Sequence, residues 1–543
     1  MKGKKLVYSM VFSAILITLP SFLWAEEIPR QQWIQRATCG ELMNDFFVDS
    51  KGNSYAVSIK GNASLILPYE MVTCKYDSNG NLLWSAVPEV PAYHSMALTV
   101  DPSGNVYVAT QMWDVAGFGG WLLVTIKYNA NGQELWRMRS VEPDLFSPHS
   151  GRGPVKIALD SQRNIYVATT GTSVYAVIKH DNNGNQLWAK NYSPLSFPSP
   201  IALRAMSVDA SGNVFMSGGN ATAYITVKFD TNGNLLWENI ETGRSGNLVM
   251  PTSMVVDLDG NVYVTGISID LVQGDYLTVK YDANGNRLWT ATYNKGSLFT
   301  GDFPKIKVDT DKNVYVTGGI FASIKYDANG NLLWAVGQTT SSDIFLWVGP
   351  SLVGWAYGLA LDTAGNIYMT GQGLTLKRDT NGNVLWAVPA PSVMGFIEID
   401  ESGSVYIAGS VASFPATSII VKYNQIPTII PVQIDIKPGT SPNAIKLQDT
   451  GNIPVAIFSS QTFDARTIDV ASLKLNGAGV RIVKGKGLQY SFDDVNGDGL
   501  IDLMVHFDRG ALQLTAGDTT ATVIGVTLDS KQIQGTDTVE IIE

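Results

Sequence analysis

One phrase, repeated, constrains this chain more than anything else in it. KYDANGNRLW at 280–289 has close copies at 75–84, 127–136, 179–188, 228–237, 325–334 and 377–386. An eighth copy begins at Lys422-Tyr423-Asn424 and stops before any Trp. A second phrase alternates with it: an apolar residue and Asp, three turn residues, then a strand-like run, as in VDLDGNVYVTG from Val256. The second phrase occurs eight times, with looser copies from Val48 and Ile399.

Each phrase has the chemistry of a β-hairpin. In Asp282-Ala283-Asn284-Gly285 the Asp side chain can accept backbone N–H groups across a type I turn, and Gly285 can take the left-handed conformation that closes it. Leu277 to Tyr281 alternates like a half-buried strand. Two hairpins per unit make four strands, and a period of roughly 50 residues is that of a propeller blade. The Trp seven residues after each Asp falls on the outer strand, where it can pack into the seam with the next blade. The eighth unit lacks that strand, but a lone strand-like Gln31-Gln32-Trp33-Ile34-Gln35 stands near the N-terminus. Trp33 is therefore expected to complete the last blade, closing the ring and removing free sheet edges. Asp282, Asn284 and Asn286 have the alternation of a calcium loop, but the Gly stands fourth rather than sixth and no closing carboxylate follows.

Composition agrees with an all-β chain: 45 % hydrophobic, 16 % charged and 52 Gly in 543 residues. Residues 1–25 read as a signal peptide, with Lys2, Lys4 and Lys5 before an apolar run and a small-residue cleavage site at Ala25. The mature chain then carries 35 basic and 48 acidic residues, a net charge of about −13. That balance repels phosphate backbones, so nucleic acid is not expected as a partner. No second apolar run is long enough to span a membrane. An exported monomer is expected, secreted or at the cell surface, with the periplasm also open. Cys39 and Cys74 are the only cysteines. They are a disulfide candidate in an oxidising compartment, the alternative being two small buried thiols.

Over residues 31–424 these units resemble the β-propeller repeat family of secreted and surface proteins of bacteria and archaea, and more loosely the quinoprotein-like propellers. The resemblance implies a propeller fold. The chain has no adjacent cysteines of the kind that often cover the quinoprotein cofactor, so that activity is not implied.

Blade topology places both repeated turns on one face. The irregular b–c loops and d-to-a connections share the other, where binding is expected. Aromatics gather there: Trp113, Phe118 and Trp121 in one loop, His149 in a connection rich in Pro, and Trp347, Trp355 and Tyr357 in another. Such side chains suit sugar rings or peptide anchors, and the alternative is packing onto their own blades. No nucleophile elbow, phosphate loop or HExxH motif occurs. The many turn Asp residues are not evidence for a glycosidase pair.

After a stiff linker at 425–431, residues 432–543 alternate as strands and predict a β-sandwich. Asp494, Asn496 and Asp498, the Leu500 carbonyl and Asp502 have the spacing of a Ca²⁺ loop, with Gly499 at the sixth position. Val505 at the twelfth position departs from a full EF-hand. IDIKPGTSPNAIKL, IPVAIF and DVNGDGLIDLMVHF resemble a C-terminal module of secreted microbial proteins, which implies an accessory role and names no reaction. The sequence thus predicts an eight-bladed propeller over 26–424 and a calcium-binding sandwich over 432–543. The functional expectation is a non-catalytic binding or scaffold protein with a glycan or protein ligand on the variable face. The alternatives are an extracellular propeller enzyme (a polysaccharide lyase, a hydrolase or a lactonase-like enzyme) and a structural surface spacer.

Overall fold

The computed structural model describes residues 29–36, 39–60, 69–89, 91–92, 95–113, 121–140, 154–170, 174–194, 201–220, 222–242, 248–269, 274–294, 303–319, 321–337, 356–390, 393–411, 417–424, 429–449, 451–460, 463–528 and 531–542. The chain divides into two compact units, Met1–Gln425 and Ile426–Glu543.

The first unit is an eight-bladed β-propeller. Each repeat forms an antiparallel sheet in chain order, and the first sheet carries a short fifth strand, Pro91–Ala92. The first strands of blades 1 to 8 are Leu42–Val48, Met96–Val100, Lys156–Leu159, Ala202–Val208, Leu248–Val256, Lys305–Val308, Ala356–Leu361 and Val393–Ile399. Each touches the first strand of the next blade, round to Val393–Ile399 against Leu42–Val48. They are the inner ring, and the Trp-bearing strands lie outside.

The repeated phrases form the turns their residues predict. Gly285 N–H donates to the Asp282 carbonyl at 3.0 Å, and Gly285 sits at φ 86°. Asp282 Oδ1 accepts the N–H groups of Asn284 and Asn286, and Oδ2 accepts the Asn286 amide. These bonds, the Asn side-chain bond foremost, hold Asp282 below the ordinary carboxylate range; Asn185 and Asn331 do the same for Asp181 and Asp327. A general acid needs the opposite shift, so these carboxylates are turn-formers. In the second phrase the Asp also accepts the Tyr hydroxyl six residues on, as Tyr263 donates to Asp257 at 3.0 Å.

Residues Arg30–Arg36 form the fourth strand of blade 8, paired with Thr417–Asn424. The strand reproduces the repeat's own bulge: Gln31 faces Tyr423 and Trp33 faces Lys422, as Leu82 faces Tyr76 and Trp84 faces Lys75. The Trp33 indole N–H donates to the Ser78 carbonyl in blade 1 at 3.1 Å, matching Trp84 to Ala130 at 3.0 Å. Cys39 and Cys74 are bonded, with Cα atoms 5.8 Å apart. That bond ties the segment after the closing strand to the third strand of blade 1. His180 replaces the Tyr of the phrase and is buried, which lowers its pKa to about 4.

The second unit is a β-sandwich. One sheet orders Ile430–Pro431, Gln532–Thr538, Thr520–Val526, Lys474–Leu475 and Ala478–Gly479. The other orders Ile434–Ile436, Asn452–Ile457, Asp502–Asp508 and Tyr490–Asp493. Ile436, Ile453, Val455, Leu473, Val505, Phe507 and Val523 fill the core. Ile430 and Pro431, read as linker, pair in parallel with Ile533 and Gln534. Among the described residues no helix is long and apolar enough to cross a membrane.

Trp386 faces blade 8, whose third strand ends at Asn424 and whose fourth is Arg30–Arg36, so no copy of the Asp-Asn-Gly turn joins the two. Its buried indole N–H has no partner among the described residues. Trp33→Phe is therefore expected to cost about 1 kcal/mol more than Trp386→Phe, because only the first removes a hydrogen bond. Urea unfolding of the two variants checks this, and equal losses would contradict the seam assignment.

Candidate functional site

The inner ring carries charge that the repeats do not require. Counted back from each turn Asp, the fourth residue is Asp45 in blade 1, Lys156 in blade 3 and Lys305 in blade 6. It is Ala97, Ala205, Ser253, Gly358 and Phe396 in the others. Two residues further on, on the same strand face, stand Lys307 in blade 6 and Glu398 in blade 8. Arg204 is the extra residue of a bulge in blade 4, as Thr252 and Tyr357 are in blades 5 and 7. Bulges re-aim side chains, and these three stand on strands around the axis, apart from the bulge that every outer strand carries.

A cavity of about 610 Å³ opens among these strands. Its lining includes Lys305, Lys307, Glu398, Tyr357, Phe303 and Phe396. Phe303 precedes its strand, Lys305 and Tyr357 lie near the start of theirs, and Lys307 and Glu398 stand two residues before the turn Asp of theirs. Inner strands enter from the variable connections and end at the repeated turns, so the cavity runs along most of the inner-strand length.

Asp45 accepts the Leu98 N–H at 2.8 Å and the Phe46 N–H at 3.0 Å. Burial raises its pKa, opposed by those bonds and by Lys156 and Lys305. Burial lowers Lys156, opposed by Asp45, with Arg204 lowering it further. Lys305 falls to about 8, through burial first and then Lys156, while Asp45 opposes. Burial raises Glu398, Lys307 opposes, and Asp45 adds to the rise. Asp45, Lys156, Lys305 and Glu398 are each partly buried. Among the described residues, none of Lys156, Lys305 and Lys307 forms a side-chain hydrogen bond or an ion pair within 4 Å.

Of the aromatic candidates, Tyr357 lines the cavity and burial raises its pKa. Trp113 and Trp121 pair directly across the hairpin of blade 2. Phe118, His149, Trp347 and Trp355 lie outside the described residues. The charged ring was missed from sequence, though aligning the repeats on their turn Asp exposes it.

In the sandwich, Asp494 Oδ1 accepts the Gly497 and Asp498 N–H groups and Oδ2 that of Gly499. Asn496 donates to Asp498 at 3.0 Å, and Asp498 accepts the Leu500 N–H. Asp502 is fully buried and accepts Ser459 N–H at 2.8 Å and Val495 N–H at 3.0 Å. The donor set is all oxygen, which suits a hard cation. Among the described residues no three acidic, His or Cys side chains converge on one point.

No protein-family model matches the sequence, and no curated protein matches it significantly. Solved structures similar to it include Sqt1 from Chaetomium thermophilum, at 9% identity over 73% of this chain and 100% of that one, with a TM-score of 0.46. A Lactobacillus plantarum protein shows 15% identity over 62% of this chain and 97% of its own, with a TM-score of 0.38. A Xanthomonas campestris gluconolactonase shows 16% identity over 49% and 83%, with a TM-score of 0.27. Likeness at this level carries no argument about function.

Keeping Lys305 charged in the folded state costs stability below pH 8, and the cost fades as pH rises from about 8 toward 10.5. Lys305→Met is expected to stabilise the protein by about 2 kcal/mol at pH 7 and by much less at pH 10. Denaturant titration at the two pH values checks this; a loss of stability at pH 7 would show that the ammonium is well paired.

Proposed function

We propose that this is an exported, monomeric binding protein that takes a glycan at the channel mouth on the variable face of the propeller. The cavity of about 610 Å³ carries the reading. It falls in the range of small-molecule sites and is too confined for a flat protein surface. Phe303, Phe396 and Tyr357 offer faces for a sugar ring, while Glu398 and the lysines offer polar contacts. A spacer would have no use for unpaired charges here. The signal-like residues 1–25 support export, and the acidic balance of the mature chain speaks against nucleic acid.

A second reading is an extracellular enzyme, a polysaccharide lyase or a hydrolase or lactonase-like enzyme. The observation favouring it is the opposed shift of Lys305 and Glu398, which brings a base and an acid toward neutrality in one cavity. Incubating a glycan array with the mature protein, then reading bound protein and released fragments by mass spectrometry, separates the two. Saturable binding without cleavage is expected, weakened at least tenfold by Tyr357→Ala. Cleavage products that vanish in Glu398→Gln would favour the enzyme.

For the second unit we propose a structural Ca²⁺ held by Asp494, Asn496, Asp498 and the Leu500 carbonyl, with Asp502 bracing the loop through its bonds to Ser459 and Val495. The all-oxygen donor set supports it. Millimolar Ca²⁺ is expected to raise the unfolding temperature of this unit by several degrees, and Asp498→Ala to abolish the rise. No shift with Ca²⁺ in the unaltered protein would remove the proposal.

A further inference from the structure

The cavity also specifies what kind of glycan it would take. Six charged residues stand on the inner strands, Asp45, Lys156, Arg204, Lys305, Lys307 and Glu398, and Lys305, Lys307 and Glu398 line the cavity itself. Four are cationic and two anionic, in a chain whose overall balance is strongly acidic. Asp45 is already engaged by two backbone N–H groups. Arg204 donates only to the Met250 sulfur, at 3.3 Å, among the described residues. Asp45 and Glu398 act on the lysines only at a distance, and none of Lys156, Lys305 and Lys307 has an ion pair within 4 Å among the described residues. Cations outnumbering anions in this way point to an anion that arrives from outside. Low-dielectric walls focus the field of such a cluster along the channel.

We infer that the ligand is a carboxylated sugar, a uronic-acid-like unit whose carboxylate lies between Lys305 and Lys307. The inference rests on the glycan-binding reading above. The two lysines are two residues apart on one strand face, about 7 Å along the strand. A carboxylate with a charge-assisted bond of about 2.8 Å at each side spans roughly that gap. Glu398 lines the same cavity and disfavours a dianion such as phosphate, while it can accept hydrogen bonds from sugar hydroxyls. Phe303 and Phe396 provide apolar surface for the ring. The depressed pKa of Lys305 adds a consequence: the site weakens as pH rises through about 8.

Calorimetry on the mature protein with trigalacturonate, its methyl ester, a neutral galactotriose and inorganic phosphate tests this. Trigalacturonate is expected to bind at least tenfold tighter than the other three. Lys305→Met and Lys307→Met should each weaken it at least tenfold without lowering the unfolding temperature, and Lys305→Arg should retain binding. Affinity should fall between pH 7 and 9.5 in the unaltered protein, and less so in Lys305→Arg. Ester or neutral sugar binding as tightly as the acid would overturn the inference and leave the glycan reading standing. Phosphate binding equal to that of the sugar acid would overturn the preference for a carboxylate. No binding of any sugar would remove both.

Discussion

One contact, made seven times, holds the propeller together. The indole N–H of an outer-strand Trp and the ammonium of the Lys opposite it in register converge on a single carbonyl in the next blade's turn. Trp237 and Lys228 meet at Ala283, and Trp289 and Lys280 meet at Ala328. Trp33 and Lys422, far apart in sequence, meet at Ser78 in the same way. Each turn must bring a Gly beneath the indole: a Cβ on Gly80 would stand 2.6 Å from the Trp33 ring, and Gly80 has φ 82°. The same Lys lies over the aromatic ring of the second phrase, as Lys280 does at 4.9 Å from the Tyr263 centroid. The Lys, Asp, Gly, Asn and Trp that the phrase repeats are thus engaged in its own turn or in the seam, while the Leu before each Trp stays exposed on the outer strand in nearly every copy.

A frame secured at its outer strands leaves the inner ring free to differ from blade to blade. Blades 2 and 4 place Ala where blades 1, 3 and 6 place Asp45, Lys156 and Lys305. Charges there cannot be explained by the seam, the turns or the blade cores. They raise the energy of the folded protein, as the depressed Lys305 indicates. Stability given up locally by a rigid scaffold is a common property of binding sites.

The fold was legible because the repeat writes its own turn chemistry. The Asp-to-Trp spacing foretold the outer strand, and the truncated eighth phrase together with Gln31-Gln32-Trp33 foretold closure. The site was not, because its residues stand where the repeat varies. The sequence points instead to the aromatics of the variable segments, and of those Tyr357 alone lines the cavity among the described residues. Lys305-Ile306-Lys307 reads in sequence as an ordinary strand with a wet face. Only the ring of eight inner strands turns that face toward Glu398 and Asp45. His180 shows the opposite case, a residue that looks chemical in sequence and is a packing variant in the fold.

A ligand held by the inner ring must enter the channel rather than rest on the loops around it. Crystals of the mature protein soaked with trigalacturonate would test it most directly. Sugar density is expected inside the inner ring, with a carboxylate between Lys305 and Lys307 and hydroxyls toward Glu398. Sugar bound only on the outer loops, with the channel holding water alone, would contradict it.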